Sequence, residues 1–215
     1  MEIAVSFLSI KSAKERMEVI KKLNNSSADY IHFDVADGKF VKEKYLCIPE
    51  LVKLLKLSTK KNDVHLMVED PIKYIEQIKN LNVDRITIHV EINKALKGIL
   101  KYIKDSDIEA GIAVDLNTSI DFIKPYLKLV DSILIMSVKA GNGGQEFVPA
   151  VLEKIKKVPN NIKLEVDGGI NNETIKWVKD ADIIVSGSYI LKDIDNNIEK
   201  LKNKEWFTLF FFEKF

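Results

Sequence analysis

"SFLSIKSAKE" (Ser6–Glu15) separates the two folds open to this chain. It closes the first apolar run and opens the first amphipathic one. A doubly wound sheet that binds a dinucleotide carries a glycine fingerprint here, because the backbone must approach a pyrophosphate closely. These ten residues contain no glycine. Outward from this turn, β-rich runs recur at Ile3–Leu8, Tyr30–Val35, Asp63–Val68, Arg85–His89, Glu109–Val114, Ser132–Ser137, Lys163–Val166 and Ile183–Ser186. Between them lie "AKERMEVIKKLNN", "IPELVKLLKLS", "PIKYIEQIKNL" and "NKALKGILKYIKDS", each with apolar residues at helical spacing. Pro71 stands where a first-turn proline belongs. Eight strand–helix units in 215 residues predict an α/β fold, a compact (β/α)₈ TIM barrel. We expect one domain over residues 1–215, with no linker, low-complexity segment or repeated sequence motif.

Composition narrows the function classes. A net charge of +1 leaves no electrostatic footprint for nucleic acid or an anionic membrane. The single cysteine, Cys47, excludes an internal disulfide and a cysteine-built metal site. "MEIAVSFLSI" has no basic leader or cleavage signature, and no apolar run approaches a membrane span. The cytoplasm is the expected compartment, and a homo-oligomer the expected assembly. The segment "WFTLFFFEKF" (residues 206–215) is read as a cover for the barrel's lower end or outer helices, with a subunit contact as the alternative.

The second strand raises the chemical question. In "YIHFDVADGKFV" (Tyr30–Val41), Ile31, Phe33 and Val35 share one face, so His32 and Asp34 share the other. In a barrel that other face points inward, near the C-terminal mouth where such folds do chemistry. "DVHLMV" sends Asp63, His65 and Met67 inward, and "KLEVDGG" places Asp167 at a strand end. His32, Asp34, His65 and Asp167 can therefore converge as two imidazoles and two carboxylates. That donor set suits one divalent ion, Zn²⁺ first, with Fe²⁺, Co²⁺ or Mn²⁺ also compatible. The third histidine, His89 in "ITIHVE", reads as lining the pocket or supporting a ligand. Glycines give a second theme: "AGNGGQEF", "DGG" and "SGS" follow the last three strands, where backbone N–H groups and a following helix can receive a phosphate.

These blocks, with "VSFLS", "HFDVADGKFV", "DVHLMVEDP", "ILIMSVKAGNGGQEF", "VDGGINNETI" and "VSGSYI", occur in order from Val5 to Leu191, and the chain resembles ribulose-phosphate 3-epimerases. The resemblance implies a barrel of the ribulose-phosphate-binding type that interconverts D-ribulose 5-phosphate and D-xylulose 5-phosphate. It implies a metal on His32, Asp34, His65 and Asp167, with Asp34 as proton acceptor and Asp167 as donor. It implies substrate contacts at Ser6, His65, Gly141, Asn142, Gly143, Gly144, Asp167, Gly168, Gly169, Gly187 and Ser188, and a pocket wall at Met67 and Met136. The chemistry agrees: epimerising a carbon beside a ketone needs a base, an acid on the opposite face and stabilisation of an enediolate.

The chain departs from the family pattern around those residues. Val5 replaces a proline, and Ala36 replaces a methionine, which predicts a wetter or roomier pocket. Ala140 and Asn142 replace the proline and phenylalanine of "PGFGGQ", and Lys42 and Glu43 follow "GKFV" in place of Pro-Asn. "VDLNTS" lacks the usual prolines, so looser loops are expected. An epimerase for a hexulose phosphate such as allulose 6-phosphate is the nearest alternative, and the double glycine of "VDGG" favours the pentose. A phosphate-binding barrel lyase or decarboxylase would want a lysine between the aspartates of a "DxKxxD"-like strand, and "HFDVADGKF" has none there. A non-catalytic barrel would not keep both histidines and both aspartates.

Overall fold

The computed structural model describes residues 1–203, so the aromatic segment 206–215 lies outside the described residues. In chain order the strands are β1 (Glu2–Ser6), β2 (Tyr30–Asp37), β3 (Lys44–Tyr45), β4 (Lys61–Met67), β5 (Arg85–His89), β6 (Glu109–Val114), β7 (Ser132–Met136), β8 (Lys163–Asp167) and β9 (Ile183–Ser186). All but β3 run parallel, and pairing of β1 with both β2 and β9 closes them into a barrel. The helices are α1 (Ala13–Asn25), α2 (Ile48–Leu57), α3 (Pro71–Ile78), α4 (Leu96–Lys104), α5 (Leu152–Ile155) and α6 (Ile194–Lys202).

The apolar pattern explains the layers. Helix α4 buries Leu96, Ile99, Leu100 and Ile103, one face at helical spacing, against the barrel. Outward strand residues such as Ile31, Phe33, Val64, Leu66, Ile86, Ile112 and Ile133 join that core, and each fully buried aliphatic side chain contributes about 1.5–3 kcal/mol. Inside the barrel a small separate cluster, Ala4, Tyr30, Ile183 and Val185, is apolar. Buried polar and charged residues face it from His32, Asp34, Asp63, His65, Arg85, Thr87, Ser132 and Glu165. The barrel interior is thus where this chain departs from a plain hydrophobic core.

The second half economises on helix. Short 3₁₀ segments at Ile120–Tyr126, Pro149–Val151, Ile175–Val178 and Ile190–Lys192 connect much of it, the first with Pro125 inside, where an α-helix would lose a hydrogen bond. At the opposite end from the site a device recurs that the sequence reading did not see. Asp29, Asp84, Asp131 and Asp182 each precede a strand. Each donates its N–H to, and accepts an N–H with its carboxylate from, one residue of the preceding barrel strand: Ile3, Asn62, Ala110 and Leu164 respectively. These clips satisfy backbone groups where the ladder begins.

The two-residue strand β3 is an addition to the expected eight. It folds back antiparallel on the end of β2, pairing Tyr45 with Ala36. The Tyr45 hydroxyl donates to the Phe7 carbonyl at 2.7 Å, and Arg16 of α1 lies over its ring while pairing with Glu50 of α2 at 2.7 Å. This arm carries the β2 loop across the barrel mouth.

Candidate active site

Asp34 is the centre of the mouth. It projects from β2 beside His65 of β4, its register partner, and one side of it meets Ser6 of β1. Ser6 Oγ donates to Asp34 Oδ2 at 2.7 Å. Asp34 Oδ1 lies 3.2 Å from His65 Nδ1 and 3.5 Å from His32 Nε2. Asp167 arrives from β8, with β9 and β1 between it and β2. Ligand atoms of His32, Asp34, His65 and Asp167 all fall within 4.8 Å of one another. The four predicted residues are therefore brought together.

Both imidazoles are held from behind. His32 Nδ1 lies 2.7 Å from Asp63 Oδ2, a carboxylate that accepts, so Nε2 is the nitrogen turned to the mouth. His65 Nε2 lies 2.8 Å from His89 Nε2, and His89 Nδ1 lies 3.0 Å from Glu91 Oε2. Below His32, Arg85 Nη1 donates to Glu165 Oε2 at 2.6 Å, and Arg85, Asp63 and Glu165 are all fully buried. Sequence reasoning put Asp63 inward but gave it no role, and passed over Glu165, Arg85 and Glu91. The signal was present: strand alternation puts Glu165 on the same face as Asp167, and Arg85 on that of His89.

Charge in this interior is divided unequally. Burial opposes the charge on Asp34, but His32 and His65 outweigh it and hold its carboxyl well below the usual range. Burial likewise opposes charge on His32, yet Asp34 and Asp63 together hold it well above its ordinary value. Burial drives His65 down to about 4. Burial, reinforced by the charge of Asp34, pushes Asp167 up to about 7. The same cause, with Asp63 adding to it and Arg85 opposing, pushes Glu165 up to about 8. The surroundings of the two mouth carboxyls are therefore unlike: those of Asp34 favour its anion, and those of Asp167 work against charge.

A divalent cation fits this donor set. His32 Nε2 is a buried nitrogen with no hydrogen-bond partner, an arrangement that costs free energy unless something meets it. Two imidazoles and two carboxylates converge on that point.

A cavity of about 510 Å³ opens over the site. Ser6, Asp34, Met67, Met136 and Asp167 line its floor, and Gly141, Asn142, Gly143, Gly144, Gly168, Gly169, Gly187 and Ser188 line its side. Hydroxyls pin the "VDGG" turn: Thr174 Oγ1 donates to the Gly169 carbonyl, and Ser186 Oγ to the Ile170 carbonyl, both at 2.8 Å. Gly169 has φ +64°, and a Cβ there would strike the Phe147 backbone, so this position needs glycine. At Gly187 a Cβ would come 2.9 Å from the Ser6 carbonyl, so a side chain would disturb Ser6 and, through it, Asp34. The helix expected directly after "SGS" is a three-residue 3₁₀ turn, and α6 starts only at Ile194. A helix dipole is therefore not what this end of the cavity offers. It offers glycine backbone together with Lys139 and Lys192, which also line it.

Residues 2–191 match the model of the ribulose-phosphate 3 epimerase family. The chain belongs to that family. It is 39% identical over 215 residues to a ribulose-phosphate 3-epimerase of Helicobacter pylori, covering 94% of this chain and 97% of that one. It is 34% identical over 206 residues to the Bacillus subtilis protein of the same name, covering 91% and 94%. Among solved structures, 3-hexulose-6-phosphate synthase from Salmonella typhimurium superposes with a TM-score of 0.69 at 14% identity, over 94% of this chain and 96% of that one. That likeness concerns the fold.

Within the family frame, His65 and His89 lie behind the cavity wall, fully buried. His89 was expected to line the pocket or to support a ligand residue. It stands behind His65: its ring nitrogens face His65 and Glu91, and Phe40 covers its face at 4.9 Å between ring centres. Ala36 is not among the residues lining the central cavity. It pairs with Tyr45 and borders a separate outer cleft, so the wetter pocket expected from it does not follow. Nor are the loops untied. Asn142 Nδ2 donates to Glu43 Oε1 at 2.9 Å, joining two of the departures across the mouth. Asp115 Oδ1 accepts from the Ala140 N–H at 3.1 Å, joining "VDLNTS" to the "AGNGGQ" loop. Ala140, where the family pattern has proline, thus carries a backbone N–H that a side chain accepts. Among the described residues no helix is long and apolar enough to cross a membrane.

Proposed function

We propose that this protein interconverts D-ribulose 5-phosphate and D-xylulose 5-phosphate by moving the proton at C3, using Asp34 and Asp167 and one divalent cation held by His32, Asp34, His65 and Asp167. Zn²⁺ is the cation we choose for two nitrogen and two oxygen donors. The carrying observation is geometric: Asp34 from β2 and Asp167 from β8 meet at the floor of one cavity, with ligand atoms of both, His32 and His65 all within 4.8 Å of one another. An epimerase needs two such groups: a base to take the proton and an acid to return one. Asp34, oriented by Ser6 Oγ, accepts the C3 proton from one face. Asp167 gives a proton to the other face from the carboxyl oxygen that does not hold the cation, and the roles exchange in the reverse direction. When bound, the cation supplies positive charge beside the developing enediolate. Met67 and Met136 limit water at the reacting carbon. The phosphate lies against Gly144, Gly169, Gly187 and Ser188, with Lys139 and Lys192 in reach of the same cavity.

Substrate comparison tests this reading. With the purified protein, kcat/KM for ribulose 5-phosphate is expected to exceed that for free ribulose by about a thousandfold or more, because the phosphate holds the reacting carbon at the carboxyls. Allulose 6-phosphate is expected to be the poorer phosphorylated substrate. Equal efficiency on ribulose and its 5-phosphate would remove the phosphate assignment, and preference for the hexulose phosphate would move the protein to the alternative activity.

A further inference from the structure

We propose that Lys192 is a specificity-determining residue that reads the charge of the substrate's phosphate: its ammonium group pairs with the phosphate that Gly187 and Ser188 receive through their backbone. This rests on the reading of the glycine-lined side of the cavity as a phosphate site and adds to it a side chain from beyond the glycine motifs.

A phosphate monoester brings nearly two negative charges to the cavity at neutral pH. The surroundings are not arranged to welcome them by backbone alone. Glu146 and Glu173, both exposed, line the same cavity and repel an anion. Helix dipole does not compensate, because Ile190–Lys192 is a three-residue 3₁₀ turn and α6 begins only at Ile194. Among the described residues, Lys139 and Lys192 are the cationic side chains that line the cavity.

The two lysines are not equivalent. Lys139 already acts on an anion of the chain: the Glu43 carboxyl is held below its usual value chiefly by the hydrogen bond from Asn142, and Lys42 and Lys139 lower it further. Lys192 forms no ion pair among the described residues, although Asp193 borders the same outer cleft. Its backbone is fixed beside the glycine turn. The Leu191 N–H donates to the Gly187 carbonyl at 3.0 Å, and the Asp193 N–H to the Ile190 carbonyl at 3.1 Å. Asn197, a buried residue of α6, donates from Nδ2 to the Tyr189 carbonyl at 2.8 Å. Lys192 therefore stands one turn beyond Ser188, and both line the central cavity. A hydrogen bond between an ammonium and a phosphate oxygen is roughly twice as strong as one between neutral groups.

Lys192→Met keeps the aliphatic stem and removes the charge, and Lys192→Arg keeps the charge. Both full-length, metal-loaded variants are compared with the wild type in an epimerase assay, with inorganic phosphate as competitor. In Lys192→Met, KM for ribulose 5-phosphate and the inhibition constant of phosphate are expected to rise together by about five- to tenfold, with kcat within about twofold. The preference for ribulose 5-phosphate over free ribulose should fall by the same factor. Added salt should weaken phosphate inhibition more in the wild type than in Lys192→Met, because an exposed charge is screened. Lys192→Arg should stay close to the wild type. Unchanged KM and phosphate inhibition in Lys192→Met, a fall in kcat without a rise in KM, or equal losses in both variants would overturn the proposal. A wild type that phosphate does not inhibit and that treats ribulose and its 5-phosphate alike would overturn the phosphate reading itself, and the assignment of Lys192 with it.

Discussion

Asp34→Asn and Asp167→Asn are each expected to lower kcat by at least about a hundredfold, the usual loss when a positioned base or acid is removed. The two variants should differ in everything else. Asp167 has a carboxyl that burial already pushes up to about 7, so a neutral amide of the same shape suits its surroundings. Its variant should melt close to the wild type. Asp34 is an anion that accepts from Ser6 and offsets the charge of His32, with two imidazoles facing it. Its variant should lose stability as well as turnover. Kinetics and thermal melts on the same samples check this. Near wild-type turnover in either variant would take that residue out of the proton transfer, and equal destabilisation would contradict the unlike ionisation of the pair.

Arg85→Met is expected to cost about 3–5 kcal/mol of stability, the range for leaving a buried charge without its partner. Arg85 and Glu165 are both fully buried and 2.6 Å apart, and Asp63 adds a second carboxylate to the same interior. Without the guanidinium, two buried carboxyls face each other and His32. At this chain length the melting temperature should fall by roughly 10 °C. Adding Glu165→Met should recover much of the loss, because an apolar pair of similar volume is often no less stable than a buried ion pair. Additive losses in the double variant would show that Arg85 stabilises the barrel by packing and not by neutralising Glu165.

How far the sequence could be read depended on the range of each interaction. Strand alternation was enough to turn His32, Asp34 and His65 inward and to set Asp167 at a strand end, because period-two geometry is local. The absence of glycine in "SFLSIKSAKE" separated the two parallel folds for the same reason. What alternation does not give is depth or partner. Asp63, Arg85 and Glu165 lie on inward faces, yet only closure of the barrel brings β5 to face β8, so that Arg85 meets a carboxylate 80 residues away. The Asn142–Glu43 bond spans 99 residues and joins two departures that look unrelated along the chain. Strand β3 is a two-residue ladder, too short to show a period. The helix expected after "SGS" became a 3₁₀ turn, since the chain reaches α6 within a few residues of β9. The repeated aspartates at 29, 84, 131 and 182 were visible as letters. Their unequal spacing hid them until the preceding strand of each was known.

Proton exchange at C3 is the central claim, and nuclear magnetic resonance in D₂O reads it directly. Purified protein is mixed with ribulose 5-phosphate, then chelated, then resupplied with Zn²⁺. The account predicts deuterium entering at C3 as xylulose 5-phosphate forms, with both stopping on chelation and resuming with Zn²⁺. Absence of C3 exchange in the metal-loaded protein would contradict it.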